Sequence, residues 1–192
     1  MLDYIEIKKK LIPVVNGSLE YPQFIEKGFR RAAVLVAFVQ DQNEWSLLYT
    51  RRSENLSNHR GQVSFPGGAM DPSDQTPMIT ALREAKEEIG INSNNIQILG
   101  SMSEFLTNSN YLVTPVVAIM DWPSELQISY AEVSRVFTIP IDWLRKKKNW
   151  EEKSYTHPDG MNGSVIFFQP YDGELLWGIS ARITVDLLNL LD

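Results

Sequence analysis

Cysteine is absent from this chain of 192 residues. That excludes a disulfide framework, a thiol nucleophile and a cysteine-ligated zinc site. Histidine is scarce: only His59 and His157 occur, and neither sits in a metal-ligand or Ser-His-Asp pattern. No apolar run approaches the roughly 20 residues that a membrane-spanning helix needs. Lys8-Lys9-Lys10 ahead of Leu11-Ile12-Pro13-Val14-Val15 has the outline of a signal peptide, but the run is short and broken by Pro13. The cytoplasm is the expected location, with no membrane partner. Positive charge is also short, with 18 Lys and Arg against 24 Asp and Glu, a formal net charge of −6. A broad nucleic-acid-binding face is therefore not expected. Repeats and low-complexity tracts are missing. The oligomeric state stays open, a homodimer included.

What is present is ordinary for a globular protein, at 43% hydrophobic and 22% charged residues. The chain is long enough for one sizeable core. Residues 1–30 read as an N-terminal helix and connector packed on the domain, with Tyr4, Ile5, Leu11 and Ile12 as packing residues. Residues 31–192 read as one domain. Ala32–Val39 is a Val-rich run expected as a buried strand. The polar turn Asp41–Glu44 joins it to a hairpin partner, Trp45–Thr50. Further strands are expected at Gln62–Phe65, Ile96–Ser101, Tyr111–Met120 and Ser134–Ile139. Ser154–His157 and Val165–Gln169 read as a hairpin around Asp159-Gly160. Pro77–Ile89 reads as a helix with Ile79, Leu82 and Ile89 as its apolar seam and Gly90 as its C-terminal stop. Ile141–Lys148 reads as a short helix or turn whose basic end suits a helix C-terminus. Ser180–Leu191 reads as a closing amphipathic helix with Ser180 as N-cap.

The chemistry concentrates in two stretches: Pro66-Gly67-Gly68-Ala69-Met70-Asp71-Pro72-Ser73-Asp74, and Arg83-Glu84-Ala85-Lys86-Glu87-Glu88-Ile89-Gly90-Ile91. Glu84, Glu87 and Glu88 fall at i, i+3 and i+4, so a helix carries them on one face. Like charges at that spacing repel. A hard divalent cation such as Mg²⁺, which takes oxygen ligands and phosphate oxygens together, would turn the repulsion into binding. A solvated acidic face with an ordinary Arg83–Glu87 ion pair is the plain alternative for Glu-x-x-Glu-Glu alone. The five-residue combination of Arg, three Glu and Gly arises by chance on the order of once in a million start sites.

This stretch resembles the Nudix box, which runs Gly, five residues, Glu, seven residues, then Arg-Glu-aliphatic-x-Glu-Glu-x-Gly-aliphatic. Arg83 to Ile91 matches, with Ala85 at the aliphatic position. Five residues on from Gly68 stands Asp74 rather than Glu, and eight residues separate it from Arg83. The extra residue is expected in the Asp71–Pro77 loop. Upstream, Thr50, Arg52, Ser53, Gly61, Phe65, Pro66, Gly67 and Gly68 are similar to the additional motif of the coenzyme A pyrophosphatase branch. That motif is Leu-Leu-Thr-x-Arg-Ser, three residues, Arg, three residues, Gly, three residues, Phe-Pro-Gly-Gly. Ser57 stands where the branch has its second Arg. Asp71-Pro72-Ser73-Asp74, Thr80–Ala85, Val113–Val117 and Trp177–Arg182 also match the branch.

The resemblance implies an α/β fold, an α/β/α sandwich around a mixed β-sheet. It implies metal-dependent hydrolysis of a nucleoside diphosphate derivative, coenzyme A in this branch, with Mg²⁺ or Mn²⁺ as cofactor. Glu84, Glu87, Glu88 and the Gly68 carbonyl would hold the metal. One Glu would act as base, and Arg83 would orient a carboxylate. Arg52, Arg51, Gly67 and Gly68 would meet the substrate, Arg suiting phosphate through its planar fork. Surface charge at a strand end is the plain alternative for the two arginines. Glu104 and Glu132 are candidates for a further acidic group from a later loop. Two other readings stay open: the same chemistry on a nucleotide sugar, NADH or a dinucleoside polyphosphate, and a non-catalytic binding module of the same fold.

Overall fold

The computed structural model describes residues 4–13, 28–56, 58–156 and 162–191. Its centre is β1 (Arg30–Asp41), an apolar strand buried on both faces because alternate residues feed two different cores. β2 (Glu44–Arg52) returns antiparallel after a tight turn at Gln42 and Asn43, both with positive φ (47° and 66°), as a two-residue hairpin turn requires. β3 (Val63–Ser64) and β4 (Gly67–Ala69) follow. α2 (Pro77–Ile89) then crosses the sheet, α1 being the short N-terminal helix Tyr4–Lys10. β5 (Ile96–Ser101), β6 (Phe105–Leu106), β7 (Tyr111–Met120) and β8 (Val133–Pro140) complete the main sheet. After α3 (Ile141–Leu144), β9 (Trp150–Thr156) and β10 (Asn162–Phe168) form a separate hairpin, and α4 (Gly178–Leu191) closes the chain.

The sheet runs β3-β2-β1-β7-β5, with β8 on β2 and β6 on β7. β1 and β7 are parallel from Arg30↔Tyr111 to Phe38↔Ile119, and the other pairs are antiparallel. With β7 along one edge of β1, the other edge is shared. β2 takes its C-terminal end (Phe38↔Leu47) and β4 its N-terminal end (Ala33↔Gly68). The glycine turn is thereby set into the fork where β1 and β2 part, pinned by Leu35 N–H donating to the Pro66 carbonyl at 2.8 Å.

Helices cover both faces. α2 packs over Ala33, Leu35, Ala37 and Val39 with its own Ala81, Ala85 and Ile89. α1 and α4 cover the other face, where Ile7, Leu11, Ile183, Leu187 and Leu188 meet Phe38, Tyr49, Phe65 and Phe137. This is the expected α/β/α sandwich around a mixed sheet. None of the described helices is long and apolar enough to cross a membrane.

Some local expectations shift. In the N-terminal segment the buried residues are Ile7 of α1 and Leu11 just after it, while Ile5 and Ile12 are exposed; Ile12 contributes its backbone instead, bridging Ser101. The Tyr4 side chain lies outside the described residues. The seam of α2 is Ala81, Ala85 and Ile89, with Leu82 half-buried and Ile79 38% exposed, because the helix sits too close to β1 for bulkier groups. α4 starts two residues before the expected N-cap: Ser180 is buried inside it and its carbonyl accepts from Thr184 Oγ1 at 2.8 Å. The basic run follows α3: Arg145 is its C-cap, and Lys147 and Lys148 fall in a 3₁₀ turn, Lys147–Asn149. The hairpin strands are longer than expected, and the Asp159-Gly160 turn and His157 lie outside the described residues.

Candidate active site

α2 begins and ends as its sequence dictates. Thr76 Oγ1 accepts from Ile79 N–H at 3.2 Å, Pro77 takes the first turn, and Gly90 leaves the helix at φ 68° with its N–H on the Lys86 carbonyl. That fixes the rotation of the helix and so the direction of each carboxylate. At about 100° per residue, Glu87 lies about 60° to one side of Glu84 and Glu88 about 40° to the other. The three do not share one environment. Glu88 is 3% exposed, Glu84 half-buried, and the Glu87 side chain 55% exposed.

Glu88 points to the sheet. Its Oε2 accepts from Gly67 N–H at 3.1 Å and its Oε1 lies 3.7 Å from Arg52 Nη1. Burial pushes its pKa up to about 7, with the Gly67 N–H and the Arg52 charge opposing and the Glu84 and Glu132 carboxylates adding to the rise. Glu84 is shifted upward too, first by burial, with the Arg83 charge opposing. Glu84 lies directly against the Gly68 backbone: a Cβ built there would stand 2.5 Å from its Oε2. At Gly67 (φ 153°) a Cβ would stand 2.3 Å from the Ala33 carbonyl oxygen. Gly67 demands glycine, because backbone blocks any side chain there, whereas at Gly68 the group in the way is the flexible end of the Glu84 side chain.

Arg83 is the hub of the helix face. Its Nη1 lies 2.9 Å from Glu84 Oε1 and 3.1 Å from Glu87 Oε2, while Nη2 donates to the Ala69 carbonyl at 3.0 Å. Nε and Nη2 both donate to Asp74, the latter at 2.8 Å. Asp74 is 8% exposed and also accepts from Thr80 Oγ1 and Asp71 N–H. The Arg83 bonds hold the Asp74 carboxyl below the usual carboxylate range. Asp71–Asp74 is a tight turn, in which Asp74 N–H donates to the Asp71 carbonyl and Ser73 caps onto the Asp71 side chain. The helical spacing is untouched.

The two arginines separate, because neighbours on a strand face opposite ways. Arg52 shares the α2 face with Leu48. Arg51 shares the opposite face with Leu47 and Tyr49. There Arg51 Nη2 donates to Glu54 at 2.8 Å and Nη1 lies 3.7 Å from the buried Glu174, which Arg135 also meets at 3.1 Å. Arg51 is held in this carboxylate clamp, on the face opposite to α2. The Nε atoms of Arg51 and Arg52 are both buried and lack a hydrogen-bond partner. Ser57 lies outside the described residues.

The later-loop acids also diverge. Glu104 accepts from Thr114 Oγ1 at 3.1 Å and lies 3.5 Å from Arg31 Nη2. The Glu132 charge is felt by both Glu84 and Glu88. Nothing in the sequence marks which of the two faces the box, since both reach their places through long-range strand pairing. His59 is exposed, its Nδ1 2.9 Å from Gln62 Oε1. Phe65 stacks on Tyr49 at 4.7 Å, and Trp177 on Phe167 at 5.7 Å.

Among the described residues no three acidic or histidine side chains converge as a closed metal cage; Glu87 is turned to Arg83. The donor chemistry nevertheless fits a hard divalent cation. It is all oxygen, and it sets the Glu84 carboxylate directly against the Gly68 backbone with the Glu88 carboxylate beside Gly67.

Comparison with known proteins agrees with this geometry. A model of the NUDIX domain matches residues 29–160. The chain is 34% identical over 172 residues to the uncharacterized Nudix hydrolase NudL of Yersinia pestis, covering 90% of this chain and 85% of that one. Among solved structures, DR0079 from Deinococcus radiodurans superposes with a TM-score of 0.52 at 16% identity, covering 82% of each chain. An Ap4A hydrolase of C. elegans superposes with a TM-score of 0.50 at 22% identity, over 58% of this chain and 80% of that one. Fork, glycine turn, capped acidic helix and these matches lead to one assignment: the chain belongs to the Nudix hydrolase family.

Proposed function

We propose that the protein hydrolyses the diphosphate bond of coenzyme A or its derivatives, giving 4′-phosphopantetheine (or its acyl form) and adenosine 3′,5′-bisphosphate. The observation that carries this reading is Arg52, the arginine of the upstream motif. It sits 3.7 Å from Glu88 on the α2 face, with about a third of its side chain, 29%, open to solvent. A phosphate oxygen would meet the guanidinium fork from that open side.

Glu84, Glu87 and Glu88, with the Gly68 carbonyl, would hold Mg²⁺ or Mn²⁺. When bound, that cation would neutralise phosphate oxygens and lower the pKa of water at the site. Arg83, itself fixed by Asp74, holds Glu84 and Glu87 in register. A carboxylate in the partly buried position of Glu84 suits proton transfer from the attacking water, since its raised pKa makes it a stronger base than an exposed one. Gly67 packs on the Ala33 and Val34 backbone and Gly68 on the Glu84 carboxylate, so the two glycines set the turn against the acidic helix.

A second reading keeps the chemistry and changes the substrate to a nucleotide sugar, NADH or a dinucleoside polyphosphate. Ser57, in place of the branch's second Arg, is what favours it. The presence of all three helix glutamates weighs against a non-catalytic module. A hydrolysis panel with Mg²⁺ and Mn²⁺ tests the assignment. Coenzyme A and its acyl esters are expected to be cleaved fastest; intact coenzyme A beside a cleaved competitor would transfer the assignment to that competitor.

A further inference from the structure

Tyr130 is the most exposed large hydrophobic side chain among the described residues, at 71%. A lone exposed apolar residue is common; what sets Tyr130 apart is its mount. Residues 129–132 form a tight turn, with Glu132 N–H and Val133 N–H both donating to the Ser129 carbonyl at 2.9 and 2.8 Å. In front, Gln127 N–H and Ser129 N–H donate to the Ile89 and Glu88 carbonyls at 3.1 and 2.9 Å, satisfying the last turn of α2. Behind, the Glu132 carbonyl accepts from Ser53 N–H at 2.8 Å. The turn therefore spans from the residue that carries the buried carboxylate to the residue that follows Arg52. The backbone bonds to the Glu88 carbonyl and to Ser53 beside Arg52 set the turn at the edge of the same site, where the Glu132 charge also reaches Glu84 and Glu88.

We infer that Tyr130 is the stacking platform for the planar base of a nucleoside diphosphate substrate, a specificity-determining residue rather than a catalytic one. The inference rests on the reading of the α2 carboxylates and Arg52 as the diphosphate site. A base has a π-face and the flexible arm of a pantetheine does not. A tyrosine has two side-chain torsions and loses little freedom on stacking. The rigid mount means that the ring is positioned before the substrate arrives, which lowers the ordering cost of binding.

The test is equilibrium binding of ADP and of inorganic pyrophosphate in the presence of Mg²⁺, in the parent protein and in Tyr130→Ala, Tyr130→Leu and Tyr130→Phe. The parent is expected to bind ADP more tightly than pyrophosphate. Tyr130→Ala and Tyr130→Leu are expected to weaken ADP by roughly 5- to 100-fold, the range for one base–aromatic stack. Pyrophosphate should be unaffected, and Tyr130→Phe should retain ADP affinity. The exposed position makes misfolding no confounder, and the melting temperature checks this. Three outcomes overturn the inference: a parent that prefers pyrophosphate, a Tyr130→Ala with unchanged ADP affinity, or equal weakening of both ligands. Failure of the hydrolysis reading looks different: no diphosphate is cleaved, while the base preference in binding survives or fails by itself.

Discussion

The face of the sheet under α2 is packed with alanines and β-branched residues, whereas the face under α1 and α4 is packed with leucines, isoleucines and aromatic rings. Ala33, Ala37, Ala81, Ala85 and Ala118 let the α2 backbone come close to β1 and β4. Only that closeness brings Glu84 onto the Gly68 backbone and Glu88 onto the Gly67 N–H. Burying carboxylates costs stability unless they are paired. The opposite face, with Tyr49 stacked between Phe65 and Phe137 and bonded through its hydroxyl to Thr184, has no such task. Function and stability are thus loaded onto opposite sides of one strand, and substitutions should separate them.

Glu88→Gln should give the largest effect. It keeps the shape but removes the charge, so turnover with Mg²⁺ is expected to fall by about 10²–10⁴-fold. The melting temperature of the cation-free protein at pH 8 should not fall, because the buried charge that burial penalises is gone. A large drop in melting temperature would make Glu88 a structural residue instead. The converse change is Leu187→Ala on the fully buried face of α4. It should cost about 2–5 kcal/mol and about 5–15 °C in melting temperature, with turnover of the folded protein kept. Ala85→Leu sharpens the contrast. Overpacking should cost only about 1–3 kcal/mol. Pushing α2 off the glycine turn by about 1 Å should nevertheless lower turnover by about 100-fold.

Much of the site was legible because its code is local. Thr76-Pro77 and Gly90 set both ends of α2 without help from the rest of the chain, and the fold's buried central strand follows from the apolar run after Ala32. What stayed hidden depends on partners far along the chain. β2 is apolar on both faces, so Leu47, Leu48 and Tyr49 carry no alternation to say which of Arg51 and Arg52 turns to α2. The alanine seam of α2 was masked by bulkier Ile79, whose burial only the close approach to β1 decides. Asp74 could be found as an acid in the loop, but its four donors come from Asp71, Thr80 and Arg83.

The neighbouring arginines test the comparison at single-residue scale. Arg52→Ala should raise the KM for a diphosphate substrate by about 10- to 100-fold, the loss of one charged hydrogen-bonding group. Arg51→Ala leaves the buried Glu174 to Arg135 alone and should act on melting temperature, with KM kept. Equal effects on KM from both would mean that β2 does not divide the two faces as its pairing indicates.

The smallest effect belongs to Asp74, and pH isolates it. Its folded pKa is held below that of an unfolded aspartate, near 3.9, chiefly by Arg83. The ionised carboxylate therefore stabilises the fold fully above about pH 5, and the contribution shrinks as the pH falls through 4 toward the folded value. Asp74→Asn removes that contribution at every pH. The stability gap between parent and variant, from urea unfolding, should be about 1–3 kcal/mol at pH 7 and should narrow as the pH drops below about 4. A gap that stays constant down to pH 2 would mean that packing of the Asp71–Asp74 turn, not the ion pair with Arg83, is what this residue supplies.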